Sequence, residues 1–308
     1  MLSVTSDPSP VADPLDDDPA YAALVWRRNL FAAIAAFLLV IVAVTGVLDV
    51  VTTVYEDRSF SAGASPRLIV RDGVGGGLRG GIEVRAADGD RIRVEGKVHG
   101  TWRVRYVLEQ RGDDVVIEAH PRAFLGWLSL LGPARFTVTA PPKTQLDVES
   151  CSAPIQVQRI AGGASLRTTN GPIRLAGVQG HLSASTTNGA IVAAGLDGTV
   201  TLQATNGAID VQGSRGVFAV ATTNGAIMLD ADLEAGQRHR AETTNGSVTV
   251  RLRGEPSLRI DARTTNGAIV THRAIAAGVR GSDTFEGTIG GGAGELSVRT
   301  TNGRIVIE

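Results

Sequence analysis

Chemistry on a folded chain starts from side chains that can carry a proton, a metal ion or a nucleophile. Here these are 31 Asp and Glu, five His and a single cysteine, Cys151. One cysteine excludes an intramolecular disulfide framework and any zinc site built mainly from thiolates. The histidines are scattered and none falls in an HExxH spacing, which excludes the paired-histidine centre of a zinc protease. Gly290 to Gly292 and Gly294 lack the following Asp that a calcium-binding nonapeptide roll requires. Glycan cleavage needs two carboxylates facing one bond. Asp197, Asp210 and Asp230 occupy three different places in the repeat described next, at +9, +4 and +6 from its asparagine, so no acidic row forms. At the place of Asp210 the neighbouring copies carry Arg174, Val192 and Met228. The expected inventory is therefore no catalytic residue, no cofactor-binding residue and no metal ligand, and the chain is expected not to be an enzyme. A net charge of −1 excludes a strongly basic nucleic-acid binder.

The informative side chain is asparagine. Of eight in the chain, seven stand in the string Thr-Asn-Gly: Asn170, Asn188, Asn206, Asn224, Asn245, Asn266 and Asn302. The intervals are 18, 18, 18, 21, 21 and 36 residues. Phe285 to Ile289, with Glu286 in the asparagine place, reads as a decayed copy inside the last interval, and Ser150 to Ile155 as another upstream. About nine copies of one unit then fill residues 146–308. A fixed period near 20 signals a solenoid.

Each unit reads as strand, break, strand. Leu182, Ala184 and Thr186 alternate with Ser183, Ser185 and Thr187, and the alternation resumes at Ile191 and Ala193. Asn188-Gly189 breaks the first run, since both residue types tolerate left-handed backbone angles. Asn-Gly between strands also suits a two-residue hairpin, which makes an antiparallel meander the alternative. The recurrence of identical flanking Thr at one spacing favours a parallel stack. There each asparagine lies on its equivalent one coil away, and identical amides hydrogen-bond along a ladder. Only 4% of residues are aromatic, as a thin coil core of Val, Ile, Leu, Ala and Thr requires. Nine coils about 4.8 Å apart would make a rod about 40 Å long. The expected fold is all-β: a single-stranded parallel β-helix (β-solenoid) of about 18-residue coils, preceded by one transmembrane helix. The seven asparagines are its structural ladder. Ice binding would need a flat rank of paired outward threonines, and Thr168 and its equivalents are expected to face inward.

Upstream, residues 59–145 hold strand-like runs and a glycine-crowded connection from Gly73 to Gly81, read as a β-rich cap or degenerate coils. The apolar run Ala123 to Leu131, with Trp127, reads as a core or cap segment, or as a loop dipping into a bilayer interface. Residues 1–28, with Pro8, Pro10, Pro14 and Asp16 to Asp18, are expected to be a disordered cytoplasmic tail. Leu30 to Leu48 carries no charge and is long enough to nearly cross a bilayer, which places a transmembrane helix and juxtamembrane segment at 29–54. A cleaved signal peptide is the rival reading, but the run exceeds a usual signal core and no small-residue cleavage site follows closely. Arg27 and Arg28 favour a cytoplasmic amino end and an extracytoplasmic carboxyl domain.

The Thr-Asn-Gly-x-Ile units, with the approach Val138 to Val148, resemble the bacterial DUF4097 family of candidate adhesins, related to the GIN-type adhesin-head domains. The resemblance covers roughly residues 60–308. It implies a β-solenoid, often membrane-tethered and sometimes near envelope-stress genes, and it carries over no catalytic residues. The expected function is a membrane-anchored extracytoplasmic binding or scaffolding surface, with protein or envelope polymer as partner and no nucleic acid. The alternatives are an accessory of an envelope-stress response and, less favoured, a carbohydrate-active β-helix enzyme. The chain stops at Glu308 in mid-pattern, so the last coil is expected to be open and available for self-association.

Overall fold

The computed structural model describes residues 19–72, 80–98, 104–121, 134–273, 275, 278–279, 281 and 283–308. The Ala123 to Leu131 run, the start of the amino-terminal tail and most of the glycine-crowded connection lie outside the described residues. Two compact units are present, residues 1–51 and 52–308.

The first unit is one helix, α1 (Pro19–Val51). It begins ten residues before the expected boundary at 29, within the stretch expected to be tail. Proline is suited to a first helical turn because its missing N–H would be unpaired there anyway, and Ala-rich sequence follows it. Within α1 the 22 residues Ala23–Val44 have a mean hydropathy of 2.0 and none of them is buried. Only Thr52 and Thr53 separate α1 from the first strand.

Among the described residues the second unit has 23 strands. The upstream ones are β1 (Val54–Ser61), β2 (Arg67–Asp72), β3 (Gly81–Ala86), β4 (Arg91–Val98), β5 (Val104–Arg111), β6 (Asp114–Pro121) and β7 (Ala134–Ala140). The repeat follows with β8 (Gln145–Ser150), β9 (Ile155–Gln158), β10 (Ala164–Thr168), β11 (Ile173–Ala176), β12 (Gln179–Thr186), β13 (Ile191–Ala194) and β14 (Asp197–Asn206). It continues through β15 (Ile209–Asn224), β16 (Ile227–Leu233), β17 (Arg238–Asn245), β18 (Val248–Leu252), β19 (Leu258–Asn266) and β20 (Ile269–Thr271). The last are β21 (Thr284–Ile289), β22 (Gly294–Asn302) and β23 (Ile305–Ile307).

Each coil gives one strand to a flank before its asparagine and one to a flank after it. Pairing between coils is parallel and in register, as in Leu166 on Ala184 and Ile173 on Ile191, so the stack is a parallel β-solenoid and not a meander. Side chains alternate in and out along the regular coils, with Leu166, Leu182, Ile173 and Ile191 at 2% exposure or less. Among the described residues, the Phe136 and Phe218 rings are the largest fully buried side chains.

The coils do not stack in chain order. From β8 to β18 they do, but β17 pairs next with β22, and β22 then pairs with β19. On the other flank β23 lies between β18 and β20. The carboxyl-terminal coil is thus inserted between the two coils that precede it. The amino end shows the same transposition: β2 lies between β6 and β8, and β3 between β7 and β9. The segments that make these detours supply antiparallel strands at the ends, β5 on β6, β4 on β7 with β1 on β4, and β21 on β19.

Two expectations are corrected here. The Phe285 to Ile289 run is no stacked copy, because β21 runs antiparallel to β19 and Glu286 lies opposite Asp261. The carboxyl-terminal coil is not open, because Ile305 and Ile307 are fully buried between neighbours on both sides. Self-association by adding a strand to that coil has no free edge to use.

The 21-residue coil keeps its register through a local substitution. Pairing of β15 with β17 starts only at Ala219 on Arg240. Just before it the buried His239 ring stands in for a strand: the Phe218 N–H donates to Nδ1 at 3.3 Å, and Nε2 lies 2.9 Å from the Glu234 carbonyl. This fixes the neutral tautomer with the proton on Nε2, and burial holds the ring below the ordinary imidazole range.

Transposition is tested by cross-linking in a Cys151→Ser background. Thr249→Cys with Val306→Cys joins adjacent strands, about 4.8 Å apart and inside the disulfide range. Thr249→Cys with Val270→Cys spans about twice that and should stay reduced; stacking in chain order would reverse the result. The second expectation concerns pH. A depressed folded value means that the neutral ring favours the native state fully above the unfolded imidazole value of about 6.5, and this contribution is lost as pH falls below it. The urea midpoint should therefore drop more between about pH 7.5 and about pH 5.5 in the natural chain than in a His239→Gln variant. Equal drops would show that the ring does not set the dependence.

Candidate binding surface

The same contacts recur from one Thr-Asn-Gly corner to the next, with one exception. The first threonine faces inward and its hydroxyl donates to the carbonyl of the motif glycine, or its equivalent, in the adjacent coil. Thr186 donates to Gly171 at 3.0 Å, Thr222 to Gly207 at 2.9 Å and Thr300 to Gly246 at 2.9 Å. Ala204 occupies this place in one coil and supplies no such donor. The second threonine faces solvent, as do the asparagines.

The asparagines form one continuous ladder. Asn188 donates to Asn170, Asn206 to Asn188, Asn224 to Asn206 and Asn245 to Asn224, each at 2.8 Å. The ladder then passes from Asn245 to Asn302 and from Asn302 to Asn266, again at 2.8 Å. All seven residues therefore meet in one row, with Asn302 inside it and Asn266 at its end.

The motif glycine has a reason that the sequence did not disclose. Neither it nor the asparagine adopts a positive φ, so left-handed backbone angles are not what breaks the strand. A Cβ on Gly207 would instead collide with the carbonyl oxygen of Gly189 in the adjacent coil. Left-handed geometry belongs to the opposite corner, where Gly195 has φ 62° and Arg159, at the equivalent place two coils earlier, has φ 57°.

Outside this core the two flanks differ. Charge on the first flank gathers toward its ends. At one end Arg71 and Arg67 hold Asp147 at 2.6 and 3.1 Å, and the hydrogen bond from Arg71 keeps that carboxyl below the usual carboxylate range. At the other, Arg263 and Arg299 interleave with Glu242, Asp261 and Glu286 beside a groove of about 530 Å³ that the outward Thr244, Thr265 and Thr301 also line. Between them, beyond Arg167, the outward residues are uncharged and mostly small, among them Ser183, Ser185, Thr201 and Ala219. On the second flank the central coils expose alanines together with Val192 and Met228 at about two-fifths exposure. Among the described residues, no three His, Cys, Asp or Glu come together as a metal site. Cys151 is half-buried, and its N–H donates to the buried Asp72, which also accepts from the Ser150 hydroxyl.

A stack of this kind, with hydrogen-bonded corners and two broad outward faces, defines a repeat protein whose surfaces are its accessible chemistry. The family model described as Toastrack DUF4097 matches residues 80–308, and the chain belongs to that family. No curated protein sequence matches the chain. Among solved structures it is similar to a candidate adhesin from Bacteroides fragilis, at 10% identity and a TM-score of 0.43, covering 83% of this chain and 97% of that one. It is also similar to a candidate lipid-binding protein from Parabacteroides distasonis, at 12% identity and a TM-score of 0.41, covering 82% and 96%. A candidate cell adhesion protein from Clostridium sporogenes matches at 13% identity and a TM-score of 0.27, covering 83% and 99%.

The ladder order carries its own test. Asn206→Ala and Asn302→Ala each remove two amide contacts, and Asn266→Ala removes one. Each contact contributes about 0.5–1.5 kcal/mol, toward the lower figure because the row is solvated. Urea unfolding should show similar losses at Asn206 and Asn302 and a smaller loss at Asn266. The opposite ranking of the last two would place the coils in chain order.

Proposed function

We propose that the chain is a membrane-anchored extracytoplasmic solenoid that presents its flanks as binding surfaces at the cell envelope, an adhesin-type role without catalysis. The observation that carries this reading is covalent. An apolar helix long enough to cross a bilayer leads, after two residues, into a stack with extended outward faces. Arg27 and Arg28 on the amino side of the apolar stretch orient the amino end to the cytoplasm and the stack to the outside. The outward hydroxyls, amides and small side chains suit contact with an envelope polymer or a protein. The reading treats α1 as retained rather than cleaved.

The experiment is fractionation of cells producing the full chain with a carboxyl-terminal tag. The protein should resist extraction from membranes by alkaline carbonate, and protease added outside intact cells or spheroplasts should remove the tag. A soluble mature form starting near Ser65, or a tag protected until lysis, overturns the anchor or its orientation.

A further inference from the structure

Four neighbouring coils of the second flank carry a pattern that fits another copy of itself in one arrangement. The outward middle row of β11, β13, β15 and β16 reads Arg174, Val192, Asp210, Met228, each residue directly on the next. Ala190, Ala208 and Ala226 form the adjoining row. In the stretches 172–176, 190–194, 208–212 and 226–230 the charged residues directed outward are Arg174 and Asp210, since Asp230 is buried against Arg253; Arg167, Asp197, Arg215 and Asp232 of the same coils lie outside these stretches. Neither Arg174 nor Asp210 makes an ion pair among the described residues; Glu83, which lines a groove with Arg174 two strands away, is held by Arg85. Arg174 is exposed and makes no hydrogen bond or ion pair among the described residues. Asp210 accepts from the Gln212 amide at 2.9 Å through Oδ2, while Oδ1 is shielded from solvent and has no donor. A shielded carboxylate oxygen without a donor is costly.

We propose that two copies of the chain associate face to face across this flank, antiparallel, about a two-fold axis at Val192, with Arg174 of each copy on the partner's Asp210. The charges select the arrangement. Arg174 and Asp210 stand one coil, about 4.8 Å, on either side of Val192. A two-fold axis lying along the Val192 strand maps one onto the other, so both contacts join opposite charges and Val192 meets its own copy. Stacks laid parallel would set arginine on arginine and aspartate on aspartate. A shift by one coil would leave both charges against uncharged residues. The pair is isologous and closed, as symmetric dimers are. The alanine row lets two sheet faces approach to the usual spacing of about 10 Å without large side chains in the way.

The antiparallel sense has a consequence for what such a pair connects. The chain enters each stack at β1, which lies at the amino-end cap beyond β4 and β7. In an antiparallel pair the two points of attachment are at opposite ends, so the contact bridges two membranes rather than two neighbours in one. This deepens the adhesin-type reading and rests on it, the adhesive partner being a second copy of the same chain.

The test uses the full chain incorporated into phosphatidylcholine vesicles, with clustering followed by light scattering. Natural-sequence vesicles should cluster. Arg174→Asp vesicles and Asp210→Arg vesicles, each alone, should cluster about tenfold less or not at all, because like charges then meet across the interface. Mixing the two variant populations should restore clustering, since every cross-copy contact again joins opposite charges. That recovery also shows both variants to be folded. Val192→Lys, which places two ammonium groups at the axis, should abolish clustering alone and not recover on mixing with either variant. The proposal is overturned if natural-sequence vesicles stay dispersed, if the single variants cluster normally, or if the mixture remains dispersed. The failures are separable: a chain released by carbonate defeats the anchored reading, whereas dispersed vesicles holding fully incorporated protein defeat only the pairing.

Discussion

Parallel stacking sets every other requirement of this protein. Coils about 4.8 Å apart place each residue on its equivalent, so a side chain must be compatible with its own kind one coil away. At the motif glycine the approach is closer than any Cβ allows, and this removes all alternatives at Gly189, Gly207 and Gly225. The carbonyl brought so near is the acceptor for the inward threonine. The outward asparagine then satisfies both donor and acceptor with neighbours identical to itself. The three residues are one device: the glycine permits the approach, the threonine closes the buried carbonyl, and the asparagine fixes register at the surface. A slip of one residue would turn the inward threonine out and break all three contacts together.

The same identity of coils explains what was legible in the residues and what was not. The period of Asn170, Asn188 and Asn206 reveals a stack because repetition at one spacing has few other physical solutions. The alternation around Leu182 and Ile191 likewise reveals which side chains enter the core. The order of the coils is not encoded in either signal. Asn245, Asn266 and Asn302 sit in the same Thr-Thr-Asn-Gly string, so any one can stack on any other with the same contacts. Their order is decided by the intervening segment, where β21 turns back along β19. Phe285 and Gly287 alternate inward as those of any strand would, and alternation carries no direction, which is why that run passes for a coil.

The candidate binding surface was less legible still. Arg174 and Asp210 occupy the same repeat position, and in a search for an acidic row they count only as its absence. Their meaning depends on burial and partners. Asp210 keeps one carboxylate oxygen shielded and without a donor, whereas Asp230 is fully closed by Arg253. The two aspartates stand at different repeat places, +4 and +6, and differ because Arg253 lies over Asp230, beside the bulge that an extra residue makes in β15 between Val211 and Ser214, whereas no arginine among the described residues covers Asp210.

Transposed ends also determine where contact with other molecules can occur. A solenoid built in chain order would finish on Asn302 and expose the edge of β22 and β23, which invites uncontrolled strand addition. Here those strands are enclosed, the first flank ends on the antiparallel β21, and the outermost strand of the second flank, β20, is only three residues long. Antiparallel and very short edge strands are poor templates for extending a parallel stack. At the opposite end β5 and β1 do the same for their flanks. With both ends blunted, growth along the stack axis is suppressed, and the broad, regular area left for recognition is the outward surface of the flanks. There specificity has to come from breaks in the repeat, because identical rows would accept a partner in any register. The exposed arginine and the incompletely bonded aspartate on either side of Val192 are such a break, and they occur at the centre of the flank rather than at either end.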